Sequence, residues 1–275
     1  MSKNTSNTGG TLALIGAGNM GGAMLSGWLA DGLDPAGVTV IDPSPPPAMA
    51  ALLEKHSIVT RATCEGVAPP DVLIVAVKPQ IFDKVLEANK ALAGAATVTV
   101  SVAAGKTLEL MERIAGTGRA IVRAMPNTPA LVARGITVCC ANAAVSPEQK
   151  NRVDRLLQAV GKVEWVEVEA LIDAVTAVSG SGPAYVFHLA ECMAAAGMRE
   201  GLSEELAMKL ARETVSGAGE LMRQSELSAA RLRENVTSPN GTTAAALAIL
   251  MGESGLQDLM ERAIAAARKR SQELS

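Results

Sequence analysis

LIGAGNMGGAM, residues 14–24, begins in an apolar run, TLALIG (11–16), that reads as a buried strand. It then enters a helical pattern that continues to Ala30 and stops at Asp31-Gly32. Gly16, Gly18 and Gly21 stand at the spacing G-x-G-x-x-G. Between a strand and a helix, that spacing marks a turn that holds a dinucleotide. Gly16 permits the tight turn, Gly18 lets a pyrophosphate reach the backbone, and Gly21 lets helix and strand pack closely. VTVID (38–42) reads as the next strand and ends on Asp42, 21 positions after Gly21. An acid at that distance is placed to accept from a ribose 2′-hydroxyl, which favours NADH over NADPH. NADPH stays open, because the turn behind Asp42, PSPPP, can aim the acid elsewhere. The nearest following arginine is Arg61.

Outward from this unit the alternation continues. AMAALLEKH (48–56) is a helix after the proline-rich turn, and DVLIVAV (71–77) is a strand followed by a helix beyond Gln80. TVTVSV (97–102), AIV (120–122) and ITVCC (136–140) are further apolar strands. Such strands separated by helices predict a mostly parallel sheet covered on both faces. Ser146-Pro147-Glu148-Gln149 carries a cap, a first-turn proline and a capping-box glutamine, so a helix opens there. VEWVEV (163–168) reads as a short strand closing the sheet. Beyond it only helical patterns remain, over 169–178, 184–198, 203–225, 228–234, 242–251 and 256–272. The fold class expected is an α/β Rossmann-type domain over 11–168, then an all-α domain over 169–275. The polar stretch 1–10 is expected to be a disordered leader.

Composition narrows the function. The 275 residues are 48% hydrophobic and 19% charged, which is globular rather than disordered. Net charge is −3 with no basic patch, and aromatics are 2%, so a nucleic-acid partner is not expected. No apolar run reaches the roughly 18 residues of a membrane span, and the N-terminus has no apolar core of a signal peptide. Cys64, Cys139, Cys140 and Cys192 show no metal spacing and read as reduced thiols, hence a cytoplasmic protein with no metal. His56 and His188 are the only histidines, which removes most histidine-base mechanisms; His188, in an apolar helix, reads as a core or interface residue. The helix Ala184–Met198 is apolar nearly all round. A domain of about a hundred residues has little interior to bury it, so a second subunit is expected to cover part of it.

Four further segments sit where a site is expected. AVKPQ (76–80) ends a strand; Val77 and Pro79 would shape a cofactor crevice and Lys78 reach a phosphate or ribose, or the segment is an ordinary strand end with an exposed lysine. RAMPNTPALVARG (123–135) also follows a strand, and its prolines bracket Asn127-Thr128, suited to a nicotinamide carboxamide or to a plain structural turn. VSGSGPAYV (178–186) and TSPNGTT (237–243) each open a helix, and helix N-termini with free N–H groups accept carboxylates.

Taken together and in this order, IGAGNMG, AVKPQ, RAMPNTPALVARG, AVSGSGPAYVF and NVTSPNGTTAAAL resemble the pyrroline-5-carboxylate reductase family over nearly the whole chain. The resemblance implies reduction of 1-pyrroline-5-carboxylate to L-proline by hydride transfer from NADPH or NADH, the last step of proline biosynthesis. It implies an obligate homodimer through the helical domain, in some members a decamer, with substrate at the dimer interface. By the same resemblance Asn19 and Met20 join Gly16, Gly18 and Gly21 in the glycine loop. Ala76, Val77, Lys78 and Pro79 line the nicotinamide ribose side, and Pro126 and Asn127 lie near the nicotinamide. Ser238, Pro239, Asn240, Gly241 and Thr242 offer donors to the substrate carboxylate, and Thr243 bonds the ring nitrogen. Glu226, in RQSELS, matches a family acid close to the substrate and, with solvent, is the candidate proton source. Two positions depart from the pattern. Asn240 replaces a usual glycine, which asparagine's tolerance of left-handed angles allows. Thr63 stands near where many members place an asparagine against the adenosine ribose. A β-hydroxyacid dehydrogenase would carry a lysine in the helix GPAYVFHLAECMAAAG, where none stands. A nucleotide-binding scaffold without turnover is the remaining alternative.

Overall fold

The structure, a computed structural model, describes residues 10–274. The expected leader lies outside the described residues except for Gly10. The chain forms two compact units, residues 10–180 with 268–274, and Ser181–Ala267.

The first unit is built on one eight-stranded sheet. Its strands are β1 (Leu12–Ile15), β2 (Val38–Ile41), β3 (Val59–Arg61), β4 (Val72–Val75), β5 (Val98–Ser101), β6 (Ala120–Met125), β7 (Gly135–Ala141) and β8 (Gly161–Trp165). They lie in the order β3-β2-β1-β4-β5-β6-β7-β8. The first six are parallel; β7 runs antiparallel to β6, and β8 is parallel to β7. The chain reverses its direction of travel across the sheet between β1 and β4, and in such doubly wound sheets the crevice at that reversal binds ligands. Central strands LALI and VLIV are buried at every position, because helices cover both faces. On one side α1 (Asn19–Ala30), α2 (Pro47–Lys55) and α5 (Pro147–Gln158) enclose a core around Met24, Trp28, Leu53 and Leu157. Trp28 Nε1 donates to the Leu156 carbonyl at 2.8 Å, so the largest core residue leaves no orphan donor. On the other side α3 (Phe82–Ala88) and α4 (Leu108–Ala115) cover Leu73, Phe82, Leu86 and Met111. Cys139 and Cys140 enter different clusters, as adjacent strand residues must.

The expected strands and helices are present, with three differences. β3 is absent from the sequence reading, because its three residues VTR are all exposed and carry no apolar pattern. The closing strand ends at Trp165 rather than at residue 168. The helix expected over 169–178 is instead a short α6 (Leu171–Val175) followed by a π turn, Thr176–Gly180. There the hydroxyls of Thr176 and Ser179 donate to the carbonyls four residues back, Ile172 and Val175. Such back-bonding competes with the regular ladder and bends helices.

The second unit holds α7 (Gly182–Arg199), α8 (Glu204–Gln224), α9 (Ala229–Asn235), α10 (Thr242–Leu250) and the start of α11 (Leu256–Glu273). Its buried apolar residues among the described ones are Ala194, Ala207 and Ala211, where α7 meets α8. Three alanines are a very small core for helices this long.

Candidate active site

The glycines behave as their spacing requires. Gly16 has φ +89°, and a Cβ there would stand 2.7 Å from the Ala76 carbonyl oxygen and 2.8 Å from Val77 Cγ1. A Cβ on Gly21 would overlap the Gly16 carbonyl. Gly18 is different, since a Cβ there meets nothing within 4 Å. Two glycines are thus demanded by the protein's own packing, and the third leaves open space at the amino end of α1, the positive end of a helix. A cavity of about 250 Å³ adjoins this loop, lined in part by Gly18, Asn19, Gly22, Ser26, Pro46 and Met49.

Asp42 stands at the end of β2, beside the loop. Its Oδ2 accepts from Ala17 N at 2.7 Å and its Oδ1 from Ser44 N at 2.9 Å. The carboxylate therefore fixes the glycine loop, and an ionised carboxylate has lone pairs left to accept from a further donor. Arg61 is brought alongside by β3, its carbonyl accepting from Asp42 N at 3.0 Å.

Ala76 and Val77 follow β4, where the β1 glycine turn packs against them, and exposed Lys78 precedes the 3₁₀ turn Pro79–Ile81. Pro126 is buried and Asn127 half-buried at the end of β6. Asn127 Oδ1 accepts from Ile136 N at 3.0 Å, which pins the strand end to β7 and leaves the amide N–H₂ as donor. Gly16, Gly18, Asn19, Met20, Gly21, Asp42, Ala76–Pro79, Pro126 and Asn127 thus gather at the carboxyl ends of β1, β2, β4 and β6. Glycines, backbone amides and an acid at those positions fit a dinucleotide.

In the second unit Ser238–Gly241 forms a turn closed by Gly241 N donating to the Ser238 carbonyl at 3.0 Å. Asn240 adopts φ +58°, the left-handed angle required of it. Gly241 caps α10 without a side-chain bond, and the first backbone bond into this end runs from Ala245 N to Gly241 O. The amides of Thr242, Thr243 and Ala244 are the orphan donors of that helix end. Thr243 is half-buried. Glu226 is exposed between α8 and α9, and its carboxylate makes no hydrogen bond or ion pair among the described residues.

Burial pushes the Cys139 thiol far above its usual range, so it stays protonated and is no nucleophile. His188 is exposed, with Nδ1 2.9 Å from Glu191 Oε2. Among the described residues no cluster of three or more His, Cys, Asp or Glu is arranged to hold a metal, and no helix is long and apolar enough to cross a membrane.

Sequence reasoning assigned no role to Arg123, which is buried in β6 with Glu169 and Asp173. The signal was a cation within the apolar strand AIVRAM.

Residues 169–274 match the family model described as pyrroline-5-carboxylate reductase dimerisation, and residues 11–105 match NADP oxidoreductase coenzyme F420-dependent. The chain is 42% identical over 264 residues to a pyrroline-5-carboxylate reductase of Pseudomonas aeruginosa, covering 96% of each. The solved pyrroline-5-carboxylate reductase of Coxiella burnetii superposes with a TM-score of 0.90 at 38% identity, covering 99% of both chains. The Plasmodium falciparum pyrroline carboxylate reductase, solved with NADP bound, gives 0.80 at 30% identity, covering 96% of this chain and 97% of that one. With this agreement along its whole length, the chain belongs to the pyrroline-5-carboxylate reductase family.

Proposed function

We propose that this protein reduces 1-pyrroline-5-carboxylate to L-proline with NADPH or NADH, the last step of proline biosynthesis. The observation that carries the reading is the Ser238–Thr243 turn. A left-handed Asn240 sets three unpartnered amides at the positive end of α10, a receptor for one carboxylate.

Each part of the substrate then has a partner. Ser238, Pro239, Asn240, Gly241 and Thr242 shape the turn that binds the carboxylate. Thr243 presents its hydroxyl to the ring nitrogen; a hydroxyl is a weak acid at neutral pH, so it orients the imine and the proton comes from solvent or Glu226. A reduced nicotinamide, when bound, supplies the hydride that the C=N carbon accepts. Gly16, Gly18, Asn19, Met20 and Gly21 hold the pyrophosphate end and Asp42 the adenosine ribose. Ala76, Val77, Lys78, Pro79, Pro126 and Asn127 hold the nicotinamide end. A protonated imine is already electrophilic, so orientation is the protein's main contribution, and effective molarities show that orientation alone is worth about 7–11 kcal/mol. All four cysteines are free, which suits a reducing cytoplasm.

The test mixes purified protein with 1-pyrroline-5-carboxylate and NADH or NADPH, following loss of the reduced nicotinamide and formation of proline. Turnover is expected, with Thr243→Ala losing about tenfold or more in kcat. Cofactor binding without turnover would overturn the reductase reading and leave a nucleotide-binding scaffold.

A further inference from the structure

Arg61 is a cation at the end of the cofactor crevice, and the reading above gives it no role. It ends β3 and pairs in register with Ile41, the last residue of β2. Its carbonyl accepts from Asp42 N at 3.0 Å, so the two residues are backbone neighbours although they lie far apart in the sequence. The side chain is exposed, and its guanidinium makes no hydrogen bond or ion pair among the described residues.

The two faces of the sheet decide what each charge reaches. Residues paired in register on parallel strands project to the same side. Arg61 therefore shares the side of Ile41, which packs with Leu73, Val75 and Phe82, and against which Val77 also packs from the loop after β4. Asp42 turns the other way, with its carboxylate on Ala17 N of the glycine loop. The end of β2, to which the adenosine ribose is assigned, thus has a carboxylate on one flank and a guanidinium on the other.

A carboxylate by itself opposes a 2′-phosphate on that ribose, because like charges brought together are costly. Here each carboxylate oxygen already accepts a backbone N–H, from Ala17 at 2.7 Å and from Ser44 at 2.9 Å, so Asp42 is committed to the loop. The guanidinium is committed to nothing. It offers five N–H donors in a planar fork that matches phosphate oxygens, and it keeps its charge at every working pH. An arginine beside the ribose is what lets a doubly wound fold accept the phosphate. β3 is also the edge of the sheet, and charges on edge strands discourage pairing with other chains. That service is met by a charge anywhere along the strand and does not call for one beside Asp42.

We propose that Arg61 is a specificity-determining residue that receives the 2′-phosphate of NADPH from the third strand, so that this chain takes NADPH as well as NADH despite Asp42. The proposal rests on the reductase reading for turnover and on the dinucleotide crevice for binding.

The test titrates NADP+ and NAD+, which differ only by that phosphate, into the full-length protein by calorimetry. Wild type, Arg61→Met and Arg61→Lys are compared, with Tm and with kcat and KM for NADPH and NADH measured alongside. Arg61→Met is expected to raise the NADP+ Kd about tenfold or more and to leave the NAD+ Kd within about twofold. KM for NADPH rises with the NADP+ Kd while kcat holds. Tm stays near that of the wild type, because an exposed side chain without a partner holds nothing in the fold. Arg61→Lys keeps the charge but not the fork and recovers part of the loss. Equal weakening of both dinucleotides overturns the proposal, since it places Arg61 on a part the two share. No weakening of either overturns it as well and leaves an edge-strand charge only. A wild type that binds NAD+ but not NADP+ does the same. If Arg61→Met does not fold, Arg61→Gln carries the same comparison. A wild type that binds both dinucleotides but does not reduce 1-pyrroline-5-carboxylate overturns the reductase reading instead, and the two Kd values still decide the role of Arg61.

Discussion

At the scale of single residues, the three loop glycines separate binding from folding. A methyl on Gly18 meets open space, so Gly18→Ala is expected to leave Tm unchanged and weaken cofactor binding by about tenfold, read by fluorescence titration. The same methyl on Gly21 strikes the Gly16 carbonyl, so Gly21→Ala should lower Tm and cofactor affinity together. Asp42 holds the loop and is the acid proposed to face the ribose. Asp42→Ser removes the charge opposing a 2′-phosphate, and the ratio of kcat/KM for NADPH over NADH should rise about tenfold. It also removes the acceptor of Ala17 N, at a cost of about 1 kcal/mol in denaturant unfolding. Asn240→Ala places an ordinary side chain at φ +58° and should cost about 1 kcal/mol, whereas Asn240→Gly should be near neutral. The glycines and the acid were legible because their spacing is a chemical fingerprint. The hold of Asp42 on the loop was not, because its donor Ala17 N comes to it only when β1 and β2 pair.

At the scale of elements, the caps and strands followed local rules and the exceptions have local causes. Ser146 and Gln149 make the reciprocal capping box that the sequence predicts, and Ser146→Ala should destabilise the first unit by about 1 kcal/mol. Asp71 ties the starts of β1 and β4 together. Its Oδ2 accepts from Thr11 N at 2.7 Å, and its Oδ1 lies 2.9 Å from Arg152 Nη1. The Thr11 amide first, then Arg152, hold its carboxyl below the ordinary carboxylate range. A depressed folded pKa gives stability that is present above the unfolded value and is lost as pH falls through the folded one. Unfolding midpoints measured from neutral pH down to about 3 should therefore fall less steeply in Asp71→Asn than in the wild type. The sequence extended the helix after residue 169 to 178 because helical propensity continues there. The π turn that replaces it depends on where Thr176 and Ser179 find acceptors and on the cluster around Asp173. Strand β3 was invisible for the opposite reason, since pairing to β2 rather than apolar patterning makes it a strand.

At the scale of the whole molecule, the second unit exposes what a soluble helical domain normally buries. On α7 Phe187 is 64% exposed, and Val186 and Leu189 lie open beside it. The match to a dimerisation model over 169–274 supplies the covering surface, a second copy of the chain. Phe187→Asp should raise the dimer dissociation constant about thirtyfold or more, read by sedimentation, and make the wild-type Tm the more concentration-dependent of the two at low protein. The same sedimentation run distinguishes a dimer from a decamer built of dimers. By itself the sequence determined most of the strands and helices, though not β3 or the π turn, together with the glycine loop and an excess of apolar surface that asks for a second subunit. Each of these rests on interactions among near neighbours in the chain or on the net excess of apolar surface. Tertiary structure alone decided that Arg123, Asp173 and Ser271 meet, that Asp42 holds the loop it faces, and that two glycines serve packing while one leaves room. Those facts depend on atoms brought together from distant parts of the chain, and local propensity carries no record of them.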